Sequence, residues 1–312
     1  MNTTKAVVLE RPEVLKVSQL TLDAASEHDV LVDIKWSGIS TGTERLLYTG
    51  TMPDFPGMGY PLVPGYESVG VVIEAGAQSG LSSGDTVFVP GAKCFGDVRG
   101  LFGGAAQRVV LPGARAMVIN QSLGENGVLL ALAATAYHAV HAMPNAVPDL
   151  IIGHGVLGRV LARLAVLAGG TPVVWETNPA RSHGSVGYTV IHPTEDTRRN
   201  YKTICDVSGD ATILNSLISR LAFCGEIVLA GFYDEALSFT FPPAFMREAR
   251  IRVAAQWQPQ DLIEVKKLAE SGALNLDGLI THRREADDAT DAYRIAFGDA
   301  DCLKMILDWR NA

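Results

Sequence analysis

Three glycines stand at the spacing of a phosphate-binding loop. Gly153, Gly155 and Gly158 form GxGxxG between an apolar run typical of a strand, LIIG, and a helix-forming run, GRVLARLAVLAG. The first glycine permits a tight turn, the second lets the backbone approach a pyrophosphate, and the third lets helix and strand pack closely. The amides at the helix start, with Val156 and Leu157, would then face the phosphates. We therefore predict a dinucleotide site at this loop.

An acid follows at the distance expected for such a site. Glu176 ends the next predicted strand, TPVVWE, about 20 residues beyond the loop. A carboxylate there hydrogen-bonds a ribose 2′-OH and repels a 2′-phosphate, which favours NAD over NADP. Arg181 lies nearby and could bind a phosphate, so this preference stays open.

Two further positions could line the nicotinamide end of the site. Ser208 follows the fourth predicted strand of this region, KTICDVSG, and Gly231 follows the fifth, EIVLAGF. In a parallel sheet the carboxyl ends of the strands face the ligand crevice. Ordinary turn chemistry explains both residues equally well.

The elements that position these residues alternate between strand and helix. Over residues 123–256 this pattern predicts an α/β fold, a doubly wound parallel sheet of the Rossmann type. Within it, ENGVLLALAATAYHAVHA predicts one helix, ATILNSLISRLAF predicts another that ends at Cys224, and Arg159 and Arg163 are expected to turn away from the buried face. Residues 1–122 carry short β-branched runs broken by Gly, Pro and Asp, which indicate a β-rich domain. The tail, residues 257–312, is expected to pack back onto that domain.

This order resembles the medium-chain dehydrogenase/reductase family, and the resemblance covers essentially the whole chain. Its landmarks are SGISTGTE, PLVPGYESVGVVIEAG, GDTVFVP, GGAAQRVVLP, AATAYHAVH and the glycine loop. The resemblance implies a GroES-like catalytic domain, a Rossmann cofactor domain and, by family habit, a homodimer.

The chain departs from that family where the family binds zinc. The resemblance places Ser40 or its neighbours at the first ligand, Tyr66 at the second, and Ala133 or Ala134 at the third. Zinc needs three or four N, S or O ligands, and this set does not supply them. We therefore expect no metal at the site. His138 and His141 are more readily explained as packing or surface histidines.

Without zinc, a side chain must take the alcohol proton or donate to the oxygen. Tyr66 could donate a hydrogen bond, whereas acting as a base would require a lowered pKa. Thr43 matches the family's relay hydroxyl, with Ser40 and Thr41 as alternatives. Glu67 is expected to orient Tyr66 or a nearby basic group. The competing explanation is that Tyr66 only fills the space that zinc leaves.

One subfamily, which acts on pigments of bacteriochlorophyll biosynthesis, is similar over TGTERLLYTG and FPGMGYPLVPGYE. The similarity implies oxidation of the 3-(1-hydroxyethyl) group of a bacteriochlorophyllide or chlorophyllide, a tetrapyrrole, to 3-acetyl with NAD. An apolar, methionine-bearing loop suits a wide flat ligand, although loop packing explains at least half of it. Arg45 could meet a pigment carboxylate or pair with Asp54 or Glu44. The predicted substrate-binding residues are Arg45, Tyr48, Met52, Phe55 and Met58.

Bulk composition narrows the partners and the compartment. The formal charge is −8 without a long basic run, so nucleic acid is not an expected partner. The four cysteines are widely spaced and form no CxxC, which indicates reduced thiols in a cytoplasm. The first residues show no apolar signal core and no apolar run reaches the length of a membrane span, which leaves loose membrane-surface association open.

Two other functions fit the same frame. A quinone or enone reductase also lacks zinc, but such enzymes commonly prefer NADPH, and Glu176 argues against that cofactor. A non-catalytic cofactor-binding protein, such as a sensor or scaffold, would bind the cofactor without turning over a hydroxyethyl pigment.

Overall fold

The computed structural model describes residues 3–141 and 147–312, and its contacts divide the chain into two compact units. Unit 1 is Met1–Ala131 with Asp277–Ala312, and unit 2 is Leu132–Leu276. Both divisions lie later in the chain than the predicted boundaries at 122/123 and 256/257. The later second division agrees with a hydrogen-bond contact within unit 2, in which His138 Nδ1 lies 2.9 Å from a carboxylate oxygen of Asp261. Ala142, the last residue of one predicted helix, lies outside the described residues.

The strands and the helices are each numbered in the order in which they occur along the chain. The strands are β1 (Thr3–Arg11), β2 (Val14–Thr21), β3 (Asp29–Ile39), β4 (Leu62–Val63), β5 (Ser68–Ala75), β6 (Thr86–Val89), β7 (Arg99–Gly100), β8 (Arg108–Pro112), β9 (Met117–Val118), β10 (Leu150–Ile152), β11 (Val173–Trp175), β12 (Thr189–Ile191), β13 (Tyr201–Asp206), β14 (Leu221–Leu229), β15 (Arg250–Val253), β16 (His282–Glu285) and β17 (Met305–Asp308). The α-helices are α1 (Thr43–Thr49), α2 (Leu130–His141), α3 (Val156–Leu167), α4 (Leu214–Arg220), α5 (Phe241–Met246), α6 (Pro259–Glu270) and α7 (Ala289–Gly298). Short 3-10 helices lie at Gly113–Arg115, Gln121–Leu129, Pro179–Arg181 and Ala286–Asp288. Within the described residues, no helix combines the length and apolar character needed to cross a membrane.

Unit 1 is built from β-sheets around one core. One sheet has the strand order β2-β1-β4-β7, and another has the order β16-β17-β3-β5-β6-β9, with β8 also paired to β3. Side chains alternate across each strand, so one face of a sheet can be apolar. Val7, Val32 and Leu62 are among the buried residues of the shared core. The short β-branched runs that predicted this β-rich region form β1, β3, β5, β6 and β8.

The chain end belongs to unit 1. Strand β17 pairs antiparallel with β3, which sets Met305 opposite Ile39 and Asp308 opposite Trp36. Helix α7 is in the same unit, whereas α6 belongs to unit 2. The return of β17 brings the residues around Lys304 next to the end of β3, where the candidate catalytic residues begin.

Unit 2 contains a parallel sheet in the order β12-β11-β10-β13-β14-β15. Every neighbouring pair in that order is parallel. This order, which reverses between β10 and β13, is that of a dinucleotide-binding sheet. Leu150, Ile204 and Ile227 lie in its buried core. The predicted doubly wound fold is confirmed.

Two local predictions in unit 2 are wrong. The helix expected to run to Cys224 ends at Arg220, and β14 begins at Leu221. Leu221 is 2 % exposed and pairs with Tyr201 in the sheet, so burial and strand pairing override the helical preference of this run. Arg159, expected at the surface, is 6 % exposed because its guanidinium bonds two backbone carbonyls.

Two further details differ from the sequence analysis. The first residues of the run ENGVLLALAATAYHAVHA form the end of the 3-10 helix Gln121–Leu129 instead of an α-helix, and α2 starts only at Leu130. Strand β2, which was not predicted, pairs along its length with β1. Polar and apolar residues do not alternate regularly in its run, VLKVSQLT, so the two-residue period of a half-buried strand is missing from the sequence.

Candidate active site

Two hydroxyl side chains meet where β3 ends. Ser40 directly follows β3, and Tyr66 lies in the turn between β4 and β5. The Ser40 Oγ and the Tyr66 phenol oxygen are 2.7 Å apart, and either atom can donate the hydrogen bond. Thr43, the first residue of α1, lies near enough to Tyr66 to lower the pKa of its phenol. Phe102 meets the Tyr66 ring edge-on at a centroid distance of 5.5 Å, which restricts the direction of the phenol.

The surroundings of Tyr66 keep its phenol protonated at neutral pH. Burial raises the pKa of Tyr66 above its ordinary value, and the carboxyl groups of Glu67 and Glu44 raise it further. The nearby hydroxyls of Ser40 and Thr43 lower this pKa, but by less. A protonated phenol can donate to a substrate oxygen. It can accept a proton only by passing its own to a neighbour.

A buried carboxyl that the sequence analysis missed lies behind the hydroxyl pair. Glu44 is 1 % exposed, and its Oε1 accepts a hydrogen bond from the Ser40 backbone N–H at 3.1 Å. Its Oε2 accepts one from the Tyr293 phenol at 2.5 Å. Burial raises the pKa of Glu44 to about 7, although the Tyr293 hydrogen bond opposes the rise. Glu44 therefore fixes the backbone of Ser40 and changes charge near neutral pH.

Glu67 contacts a basic group, one of the two kinds of partner expected for it. Its Oε2 forms an ion pair with the Lys304 Nζ, and these side chains are 0 % and 1 % exposed. Lys304 also donates to the Ile39 carbonyl at 2.9 Å. Any side chain at Gly38 would overlap both the Glu67 carboxylate and Lys304. The lysine inside the apolar run CLKMILDW was the available signal, because a charge in a buried segment requires a partner.

The positions that the family resemblance matches to zinc ligands offer hydroxyl and methyl groups. Ser40 and Tyr66 supply the hydroxyls, and Ala133 and Ala134 on α2 are fully buried and carry no donor atom. Across residues 3–141 and 147–312, no group of three or more His, Cys, Asp or Glu side chains could hold a metal ion. This donor set does not fit zinc, which takes three or four converging N, S or O ligands.

The two histidines of α2 contact other side chains of unit 2 and, among the described residues, do not belong to a group of metal ligands. His138 pairs with Asp261 at 2.9 Å. His141 stacks on the Tyr137 ring at a centroid distance of 3.9 Å. Both contacts lie within unit 2 and agree with the packing and surface roles expected from the sequence.

The predicted pigment-binding segment is only partly turned outward. Tyr48, Met52 and Met58 pack against the core of unit 1. Phe55 is 37 % exposed, and Arg45 is exposed on α1. Core packing therefore explains three of these side chains, and Arg45 and Phe55 remain accessible to a ligand.

The glycine loop in unit 2 has the geometry that its sequence predicts. Gly153, directly after β10, has a φ of 99°, which favours glycine. Gly155 caps the start of α3, and the space beside its Cα is open. A side chain at Gly158 would overlap the Gly153 carbonyl. Val156 and Leu157 begin α3, where backbone amides have no partner within the helix.

Glu176 is held beside this loop by backbone amides. Its Oε2 accepts a hydrogen bond from the His154 N–H at 2.9 Å, and its Oε1 accepts one from the Asn178 N–H at 2.7 Å. The carboxylate oxygens keep further acceptor capacity. Glu176 is therefore oriented and still able to bind hydroxyl groups.

Ser208 and Gly231 come together around a buried carboxyl, Asp206, that the sequence analysis did not single out. Asp206 Oδ1 accepts from the Ser208 N–H at 2.9 Å, and the Gly231 N–H donates to the Asp206 backbone carbonyl at 3.0 Å. The Tyr233 phenol donates to Asp206 Oδ2 at 2.7 Å. Burial raises the pKa of Asp206. The signal was an acid at the end of an apolar strand, in ICDVSG.

Comparison with known proteins decides the family. The GroES-like domain of alcohol dehydrogenases matches residues 26–121. Two relatives named 2-desacetyl-2-hydroxyethyl bacteriochlorophyllide A dehydrogenase, from Rhodobacter capsulatus and Cereibacter sphaeroides, are each 56% identical to the chain. The first alignment covers 99% of both proteins and the second covers 98% of both. The chain belongs to the medium-chain dehydrogenase/reductase family. Its predicted similarity to the pigment dehydrogenases of that family is confirmed.

Solved structures show the same fold for this medium-chain dehydrogenase/reductase. An alcohol dehydrogenase from Escherichia coli, in complex with NADH, has a TM-score of 0.83 at 20% identity and covers 99% of this chain and all of its own. A dehydrogenase from Sinorhizobium meliloti, bound to NADP, has a TM-score of 0.83 at 21% identity with the same coverage. The two-domain architecture is thus common to members that differ widely in sequence.

Proposed function

We propose that this medium-chain dehydrogenase/reductase is a cytoplasmic, zinc-independent enzyme that oxidises the 3-(1-hydroxyethyl) group of a bacteriochlorophyllide to 3-acetyl with NAD. The substrate class rests on the 56% identity, over almost the whole chain, to relatives named for that dehydrogenation. The observation that carries the chemistry is the 2.7 Å contact between the Ser40 and Tyr66 hydroxyls. The family resemblance matches both residues to metal-ligand positions.

Unit 2 would bind the cofactor. The open face of Gly155 and the first turn of α3, with Val156 and Leu157, suit a pyrophosphate. Glu176, fixed by two amides, is placed to accept hydrogen bonds from ribose hydroxyls and to repel a 2′-phosphate. Ser208 and Gly231 would border the nicotinamide. NAD, when bound, takes up the hydride at its nicotinamide C4.

The alcohol proton would leave through hydroxyl groups. As the carbinol carbon loses its hydride, the conjugated macrocycle delocalises the positive charge, and the substrate O–H becomes strongly acidic. Tyr66 can take that proton while passing its own to Ser40 or Thr43, which in turn releases its hydroxyl proton to water, so that no side chain is left ionised. Glu44 holds the backbone of Ser40 in place, and Glu67 with Lys304 supports the turn that carries Tyr66.

A metal is unnecessary in this scheme. Zinc would stabilise an alkoxide before hydride loss, but the donor set around Tyr66 does not fit zinc. Arg45 and Phe55 would meet the pigment at the accessible end of the segment, with Arg45 facing a carboxylate. Tyr48, Met52 and Met58 would shape that segment from beneath.

We also propose a homodimer formed by unit 2. Strand β15 is an edge of the parallel sheet, and its Ile251 and Val253 are 38% and 73% exposed. Phe241 and Phe245 of the neighbouring α5 are 65% and 66% exposed. An exposed apolar edge strand offers unpaired backbone N–H and C=O groups to another strand. A second copy of β15 can pair with it about a twofold axis.

Product analysis tests the proposed reaction. Purified protein is incubated with NAD and 3-(1-hydroxyethyl) bacteriochlorophyllide, and the pigment is measured by absorbance and mass spectrometry. We expect a red-shifted product that has lost two hydrogens, with one NADH formed for each. Tight NAD binding without pigment turnover would contradict the proposal and favour a cofactor-binding protein.

A further inference from the structure

Two buried side chains tie the glycine loop to the chain that follows Glu176. His154 lies between Gly153 and Gly155 and is 0% exposed. Its Nδ1 is 2.6 Å from the Arg181 carbonyl, and its Nε2 is 2.8 Å from the Tyr188 phenol. Because a carbonyl can only accept, Nδ1 carries the proton and Nε2 accepts from Tyr188. Both ring nitrogens are thus satisfied by the neutral imidazole.

Arg159 holds the same stretch of chain, residues 178–188, which we call the 178–188 segment. Its Nε donates to the His154 carbonyl, and its Nη2 donates to the Arg181 carbonyl, each at 3.1 Å. A side chain at Gly184 would overlap the Arg159 guanidinium, so the segment lies directly against it. Burial lowers the pKa of His154 to about 4, and the Arg159 charge contributes. The imidazole of His154 therefore stays neutral at physiological pH and keeps its hydrogen bonds to Arg181 and Tyr188.

The position of the 178–188 segment matters for cofactor choice. The segment starts at Asn178, whose N–H bonds Glu176, and it carries Arg181 on a short 3-10 helix. In dinucleotide sites of this topology the acid binds the ribose 2′-OH, whereas a nearby arginine accommodates a 2′-phosphate. The balance between these two outcomes depends on where the segment holds Arg181 relative to Glu176.

We propose that His154 and Tyr188 are positioning residues for cofactor choice, which hold the 178–188 segment so that Glu176 reads the ribose and Arg181 is kept from a 2′-phosphate. The proposal rests on the proposed use of NAD. Neither residue needs to touch the cofactor. Their effect is on the relative affinities for the two cofactors, not on the chemical step.

Fluorescence titration with NADH and with NADPH, without pigment, tests this role. Tyr188→Phe deletes one oxygen and leaves Nε2 of His154 without its donor. We expect the Kd for NADH to rise about three- to tenfold, which is the factor that corresponds to the free energy of one buried hydrogen bond. The Kd for NADPH should change less. The ratio of the two affinities therefore narrows, and the turnover number at saturating NAD stays unchanged. Tyr137→Phe is the matched control, because its ring contact with His141 survives loss of the hydroxyl.

Hydrogen exchange supplies a second measurement. In the wild type, NADH should slow exchange in residues 178–188, and Tyr188→Phe should speed exchange there in the free protein. An unchanged affinity ratio, an equal loss for both cofactors, or no cofactor protection of the segment would overturn the inference alone. Wild-type protein that binds neither cofactor would instead contradict the proposed function, and the inference would fall with it.

Discussion

The Tyr293 phenol donates a hydrogen bond of 2.5 Å to the Glu44 carboxyl, although the two residues are 249 positions apart in the chain. The contact joins α7 to the start of α1 within unit 1. Since the Glu44 carboxyl also accepts from the Ser40 backbone N–H, helix α7 helps to fix the residue that bonds Tyr66. The candidate catalytic hydroxyls thus depend on a buried acid whose charge changes near neutral pH.

Glu44 should make stability fall as the pH rises. Burial raises its pKa from 4.5 to about 7, so between these values the folded protein keeps a proton that the unfolded chain releases. The stabilisation is complete below pH 4.5 and is lost as the pH rises through 7, a change of about 3 kcal/mol in all. Urea unfolding at pH 5 and pH 8 should show the wild type losing about 2 kcal/mol or more relative to Glu44→Gln. Parallel pH profiles for the two proteins would contradict this.

Tyr66→Phe should lower the turnover number about a hundredfold or more, the usual cost of removing a group that transfers a proton in the reaction. Its ring contact with Phe102 is retained, so the KM for the pigment should change little. Ser40→Ala should have a smaller effect, because the hydroxyl of Thr43 also lies near Tyr66. Steady-state kinetics measure both variants. An unchanged turnover number in Tyr66→Phe would mean that Tyr66 only fills space.

Glu67→Gln should destabilise unit 1 strongly. The change leaves the buried Lys304 ammonium without its counter-charge, which costs about 3–5 kcal/mol. The double variant Glu67→Gln with Lys304→Met removes both charges and should recover much of that loss. The free energy of unfolding in urea measures each protein. A double variant as unstable as the single one would show that the ion pair is not the cause.

The β15 edge should control association. Val253→Lys places a charge on the exposed edge strand and should convert a dimer into a monomer, as measured by size-exclusion chromatography with light scattering. Val186→Lys is a matched control, since Val186 is 65% exposed and lies outside β15 and α5. A wild type that is monomeric at micromolar concentration, or a Val253→Lys protein that is still dimeric, would contradict the proposed interface.

Local signals in the sequence were sufficient to predict the parallel sheet and glycine loop of unit 2. The glycine spacing, the strand–helix alternation and the apolar runs of β10 and β13 depend on neighbouring residues, and the structure contains them as predicted. The predictions of a helix through Leu221 and of a surface position for Arg159 were wrong, because the surroundings of both residues come from other elements. Leu221 joins a sheet, and Arg159 bonds the carbonyls of His154 and Arg181.

Only some residues of the candidate site could be predicted from the sequence, for the same reason. Ser40, Thr43 and Tyr66 were found through the family resemblance, which places them at ligand and relay positions, and their roles remain predictions. Glu44 and Lys304 were not found as members of the site. Their partners, Tyr293 and Glu67, come from distant parts of the chain, and short-range sequence patterns carry no record of such contacts.

In the proposed mechanism, hydroxyl groups of the polypeptide manage the alcohol proton without a metal. Pigment turnover with NAD, measured before and after exhaustive chelation, tests this, with the metal content of the same samples determined by elemental analysis. We predict an unchanged turnover number in protein that contains less than about one metal ion per ten chains, since the donor set does not fit zinc. Activity that disappears with a stoichiometric metal ion, and returns when that ion is restored, would contradict the mechanism.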